Sequence, residues 1–142
     1  MKLIELARDY LKRAEVRVMS AELAYDGGYY PDVVRYSQEA VELALKASLR
    51  SVGVEYPKEH DVGRVLKAVR GRFPPWFDRE IDRLCEISAD LAAKRAPSLY
   101  GIESLGKTPS ELFDQADASK ALTDAKRTYT TVKKLVEDLM EA

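Results

Sequence analysis

The stretch Val33-Val34-Arg35-Tyr36-Ser37-Gln38-Glu39-Ala40-Val41-Glu42-Leu43-Ala44-Leu45-Lys46-Ala47-Ser48 decides the fold. Val34, Val41, Leu45 and Ser48 fall on one side of a helix, and Ala40, Leu43 and Ala47 widen that side well beyond a single stripe. A helix apolar over so much of its circumference is either central to a bundle or shared between the core and a partner chain. Its limits are written in the flanks. Pro31 suits a first helical turn, and Gly53 ends the helix after about Val52.

Upstream, Leu3, Ala7, Leu11, Ala14, Val18, Ala21 and Tyr25 recur at steps of three and four, which predicts a long amphipathic helix stopped by Gly27-Gly28. Downstream, a loop over 54–59 leads to a shorter helix over roughly 61–69, with Asp61 as its candidate N-cap. Gly71 and Pro74-Pro75 interrupt the chain. The next helix runs from Trp76 to about Ala93, with Pro97 expected to end it because proline disfavours helix in the residue before it. Residues 96–107 read as a loop rich in Gly, Pro and Ser. Thr108-Pro109-Ser110-Glu111 has capping-box spacing with Pro at the first helical position, and a short turn is expected there before the last helix. Ala118, Ala121, Ala125, Thr128, Val132, Leu135 and Leu139 form the stripe of a last long helix. Strand signals are weak throughout. The expectation is an all-α, up-and-down bundle of about five helices, one domain over residues 1–142.

Composition narrows the function classes. Nearly half of the 142 residues are hydrophobic, enough for a real core, and the net charge of -1 excludes a global basic field for nucleic acid. No apolar run reaches the ~20 residues that span a bilayer, and the start of the chain becomes charged at once, with no signal-peptide core. Cys85 is the only cysteine, so neither an internal disulfide nor a zinc site of several cysteines can form. These points favour the cytoplasm. Asn is absent and Gln occurs only at 38 and 115, beside abundant Glu, Lys and Arg, a pattern in line with thermophile composition. No Gly-rich phosphate loop or His-Glu-x-x-His metal motif is present, and no cofactor is implied.

Two segments carry a family resemblance. Tyr36 to Ala47 resembles the second-helix signature of HEPN (higher eukaryote and prokaryote nucleotide-binding) domains, a Gln-x-Ala-Val-Glu-x-x-Leu-Lys-type run. His60-Asp61-Val62-Gly63-Arg64-Val65-Leu66 is similar to the His-Asp-Leu-x-x-Leu-Leu-type segment opening the next family helix. The resemblance implies a bundle that commonly forms homodimers and has links to nucleotides or RNA. It also implies that some members are ribonucleases, often toxins paired with a small nucleotidyltransferase. Fold alone does not settle which of these applies.

Active family ribonucleases carry an Arg-x4-6-His motif, in which a cation holds a phosphate and an imidazole moves a proton. The matching place here is Arg95-Ala96-Pro97-Ser98-Leu99-Tyr100, with Tyr100 where histidine is expected. A phenol stays protonated at pH 7, so this substitution points away from catalysis and toward a module that, as a homodimer, binds a nucleotide or a partner protein. The alternatives are a ribonuclease or toxin component in which Arg95 and Tyr100 or His60 take altered roles, and a structural dimer that helps a nucleotidyltransferase. The candidate phosphate-binding residues are Arg95, Tyr100 and Ser98, together with Lys46 and His60. Each has a plainer reading. Arg95 caps a helix C-terminus and Tyr100 packs the loop. Lys46 pairs with Glu42 four residues before it. His60, the only histidine, orients the turn before its helix. Arg64, Lys67 and Arg70 form either a phosphate-tracking patch or a solvated face. Phe73, Trp76 and Phe77 either close one end of the bundle or face a partner.

Overall fold

The computed structural model describes residues 2–141. Six α-helices follow one another: α1 (Lys2–Asp26), α2 (Tyr30–Ser51), α3 (Gly63–Ala68), α4 (Pro75–Tyr100), α5 (Pro109–Leu112) and α6 (Gln115–Glu141). Short 3-10 turns occupy Arg70–Arg72 and Glu103–Leu105. Among the described residues no strand forms, and one isolated bridge joins Ile102 to Lys107.

The breadth of the apolar surface on α2 has a simple cause. The helix is central, packed against α1, α4 and α6 at once. Val33, Val34, Ser37, Gln38, Ala40, Val41, Ala44, Leu45, Ala47, Ser48 and Leu49 are all buried within this one chain. No partner chain is needed to explain them. Ala7, Ala14 and Ala21 recur every seven residues on α1 and are fully buried. Side chains this small allow the two helix backbones to approach closely. Leu3, read as part of the same stripe, is 40% exposed near the start of α1.

Phe73, Phe77 and Trp76 close one end of the bundle. Phe77 is fully buried, with Phe73 at 4.7 Å and Trp76 edge-on at 5.7 Å between ring centroids. Trp76 is half-buried and carries Lys134 over its face at 4.4 Å. Cys85 is buried, its thiol donating to the Gly63 carbonyl, and burial pushes that thiol's pKa up.

Two local expectations are corrected. First, Pro97 does not end the fourth helix, which continues to Tyr100 and stops at Gly101. Proline forfeits only the bond to the Ala93 carbonyl, and Ala93 faces solvent, where water can replace the donor. The stop is Gly101, at φ 70° with its N–H bonded to the Pro97 carbonyl. Second, Asp61 is not the N-cap of α3, which begins after Val62. Asp61 still accepts from Gly63 N–H at 3.0 Å, and also from Ser88 Oγ at 2.8 Å. The capping box at Thr108 and Glu111 is present and opens the four-residue α5, ahead of α6.

Gly101 supplies a direct test of the packing between the end of α4 and the 102–107 turn. A Cβ there would lie 2.0 Å from the Lys107 carbonyl oxygen, on a backbone of positive φ. Gly71→Ala is the control, because nothing lies within 4 Å of its Cβ position. Urea unfolding is expected to show a loss of more than about 1 kcal/mol for Gly101→Ala and a change within about 0.5 kcal/mol for Gly71→Ala.

Candidate functional site

Because α2 buries most of its circumference, its polar residues are confined to one narrow row. Arg35, Gln38, Glu39, Glu42 and Lys46 share that row at helical spacing. Facing it are Arg17 from α1, Arg95 from α4 and His60 from the loop before α3. Arg17, Glu39, Glu42, Leu43, His60 and Arg95 line a cleft of about 270 Å³.

The groups are joined in a continuous chain. Arg95 donates to Gln38 Oε1 at 2.7 Å, and Gln38 Nε2 donates to Glu42 Oε1 at 2.9 Å. The same Glu42 oxygen lies 2.7 Å from His60 Nδ1. Lys46 donates to the other Glu42 oxygen at 2.9 Å. Glu39 accepts from Arg17 at 2.9 Å, from Arg35 at 3.1 Å and from Arg95 at 3.4 Å. Three guanidiniums and an ammonium thus surround two carboxylates, and the cluster carries excess positive charge. Burial pushes the Glu42 carboxyl up, but hydrogen bonds from Lys46, Gln38 and His60 outweigh it and hold the pKa below its ordinary value.

The five residues singled out in the sequence separate into two groups. Arg95 and His60 meet in the cleft. Lys46 stands behind Glu42 with its side chain only 12% exposed and does not line the opening. Its ion pair with Glu42 is the plain reading of that spacing. Arg95 does not cap a helix end, since α4 continues for five residues beyond it.

Tyr100 and Ser98 lie elsewhere. Tyr100 follows Arg95 by five residues on a continuous helix, a turn of roughly 140° that aims it at another face. It is 65% exposed and does not pack the loop. Ser98 is buried, donates to the Arg95 carbonyl at 2.6 Å, and borders a separate hollow with Tyr29, Pro31 and Pro109. The continuation of helix through Pro97 causes this separation: a loop from 96 onward would have let the chain fold back toward Arg95.

Sequence reasoning missed Arg17, Gln38 and Glu39. Gln38 carried a usable signal, since it is a polar residue within the apolar breadth of α2, and it is 1% exposed. A buried amide requires partners, and here it finds Arg95 and Glu42. Arg17 gave no such signal, because α1 carries many charges and only the packing angle selects this one. Of the basic residues Arg64, Lys67 and Arg70, Arg70 is held by Asp78 at 2.7 Å and Asp82 at 3.1 Å, and Arg64 reaches Glu59 at 3.7 Å. Among the described residues no group of three metal-ligating side chains occurs.

Fold and cleft together define an all-α bundle with a histidine-bearing groove, lined by two arginines and two glutamates, between its second and fourth helices. The chain belongs to the HEPN domain family, whose model matches residues 7–135. It is 27% identical over 141 residues to "Putative toxin MJ1304" of Methanocaldococcus jannaschii, spanning 95% of this chain and 91% of that protein. Among solved structures, ST0689, an archaeal HEPN homologue, superposes with a TM-score of 0.69 at 25% identity, covering 92% of this chain and 97% of its own. TT1696 from Thermus thermophilus shares the fold, with a TM-score of 0.75 at 22% identity over 90% of this chain and 96% of its own. No helix among the described residues is long and apolar enough to cross a membrane.

The network has a pH signature. Because the Glu42 pKa is lowered on folding, its contribution to stability is present above 4.5, the ordinary value, and is lost as pH falls through the lower folded value. Carbon-13 NMR of the carboxyl should place the Glu42 titration below 4.5. His60→Ala should move it upward, since one of the hydrogen bonds holding it down is removed.

Proposed function

We propose that this chain acts as one HEPN domain that binds the phosphate of a nucleotide or of RNA in the cleft, and that it works as a homodimer. The observation that carries the reading is the convergence of Arg95, Arg17 and His60 on one opening, within a wider cluster of three arginines and a lysine around two carboxylates. Guanidinium groups suit phosphate because their planar donors match its oxygens. Glu39 and Gln38 hold those donors in place in the absence of an anion. The dimer follows from the family resemblance and from apolar side chains left exposed on α1, while the breadth of α2 no longer argues for it.

A second reading, metal-independent RNA cleavage, is favoured by one specific contact. His60 Nδ1 is bound to the Glu42 carboxylate, and its Nε2 has no hydrogen-bond partner among the described residues. A carboxylate that orients an imidazole beside an arginine is the arrangement a proton-transfer group needs. This makes His60, rather than Tyr100, the residue on which catalysis would turn. Similarity to a protein named as a toxin fits this reading as well. A small nucleotidyltransferase is the partner the family resemblance suggests for it.

Titration with a short RNA and with ATP at low and moderate salt checks the first reading. Arg95→Ala and Arg17→Ala are expected to weaken binding about tenfold or more, and Tyr100→Ala to leave it within about twofold. Affinity should fall as salt rises. Equal affinity in Arg95→Ala would remove the cleft from the function.

Incubation of a mixed RNA pool in chelator separates the two readings. The binding module leaves the pool intact, and Tyr100→His gains nothing, because that side chain is aimed away from Arg95. Cleavage by wild type that disappears in both His60→Ala and Arg95→Ala would establish the second reading in place of the first.

A further inference from the structure

His60 is tied to two different helices. Its ring meets Glu42 of α2 at 2.7 Å, and the backbone just after it is tied to α4 through Ser88. Ser88 is buried, and its hydroxyl makes two bonds. Oγ accepts from the Val62 N–H at 3.0 Å and donates to Asp61 Oδ1 at 2.8 Å. The same Asp61 oxygen accepts from the Gly63 N–H at 3.0 Å. One turn earlier on α4, the Cys85 thiol donates to the Gly63 carbonyl at 3.3 Å. Gly63 permits this approach, since a Cβ there would stand 3.3 Å from Cys85 Cβ and 3.5 Å from its Cα. Residues 61–63 are thereby stitched to α4.

The stitch begins one residue after His60. The ring contact is not enough to place this residue. The His60 side chain is 56% exposed, and one hydrogen bond at so open a site does not offset the entropy of fixing the chain that leads to it. Upstream, the loop is held at Tyr56, whose hydroxyl lies 2.8 Å from that of Tyr10, so His60 stands closer in sequence to the Ser88 anchor. Ser88 and Arg95 are seven residues apart, two turns and roughly 10 Å along one face of α4. The helix that carries Arg95 into the cleft therefore also sets where the His60 backbone stands. Ser88 itself does not line the cleft. Glu42, held as a carboxylate, can only accept, so His60 donates through Nδ1 and Nε2 of the neutral ring is left without a proton.

We infer that Ser88 is a positioning residue: through Val62 and Asp61 it sets the His60 ring against Glu42, and with it the tautomer that the cleft presents. The inference rests on the reading of this cleft as the ligand site, and the placement of the ring is measurable with no ligand present.

Nitrogen-15 NMR of the ring of His60, the only histidine in the chain, tests it at about pH 9, well above the titration of an ordinary imidazole. Wild type is expected to show one tautomer, with the proton on Nδ1. Ser88→Ala is expected to lose that preference and to raise the Glu42 titration toward its ordinary value, with helical content and the Arg95 Nε–Hε signal unchanged. Its affinity for a short RNA should fall about threefold to tenfold. Because Ser88→Ala leaves the buried Val62 N–H unpaired, a second pair of variants covers the case in which it does not fold. Asp61→Ala should change the His60 signals in the same direction, and Asp61→Asn, which keeps the Oδ1 acceptor, should retain the wild-type ones. A folded Ser88→Ala with wild-type ring signals overturns the inference, and so do equal changes in Asp61→Ala and Asp61→Asn. Ring signals that change as expected while RNA affinity holds would keep Ser88 as the positioning residue and remove His60 from the binding reading.

Discussion

The rest of the structure depends on the burial of α2 from several sides at once. A helix packed against three neighbours has little circumference left for polar residues. The chain meets this by placing Arg35, Gln38, Glu39, Glu42 and Lys46 on a single row and alanine, valine, leucine and serine elsewhere. Charges confined to a row, at the margin of a core, need partners from whatever faces them. Arg17 and Arg95 are those partners, and each comes from a helix that α2 itself holds in place. The cleft is therefore a consequence of how the bundle is built. Any change that tilted α1 or α4 against α2 would also disperse the cations.

The two carboxylates set the character of the site. Glu39 gathers three arginines and Glu42 gathers a lysine, a glutamine and the only histidine. On the proposed reading an incoming phosphate would compete with Glu39 for the guanidinium donors, exchanging one anion for another. Glu42 is held apart from those donors, bonded to Lys46, Gln38 and His60.

Much of the fold was legible in the sequence because helix periodicity is a local signal. The long helices read correctly from the recurrence of Ala7, Leu11 and Ala14, of Val41 and Leu45, and of Ala125, Val132 and Leu135. Their buried faces are the predicted ones, apart from Leu3 at the start of α1. The misreadings were also local in origin. Pro97 looks like a terminator, but a proline one turn from a helix end removes a single bond that water can replace. The site was less legible because it is assembled across 78 residues of chain, from Arg17 to Arg95. His60 and Arg95 were named, yet their meeting depends on the angle between α2 and α4. Tyr100 was paired with Arg95 on motif spacing alone, and a continuous helix separates the two.

The most direct test of the central claim is nuclear magnetic resonance of the side chains that form the cleft. Arginine Nε–Hε signals and the His60 ring can be followed while a short RNA is added. The account predicts that Arg17, Arg95 and His60 shift together, with one saturation curve, while Tyr100 stays where it was. Shifts centred on Tyr100 and the 102–107 turn, with Arg17 and His60 unmoved, would contradict it.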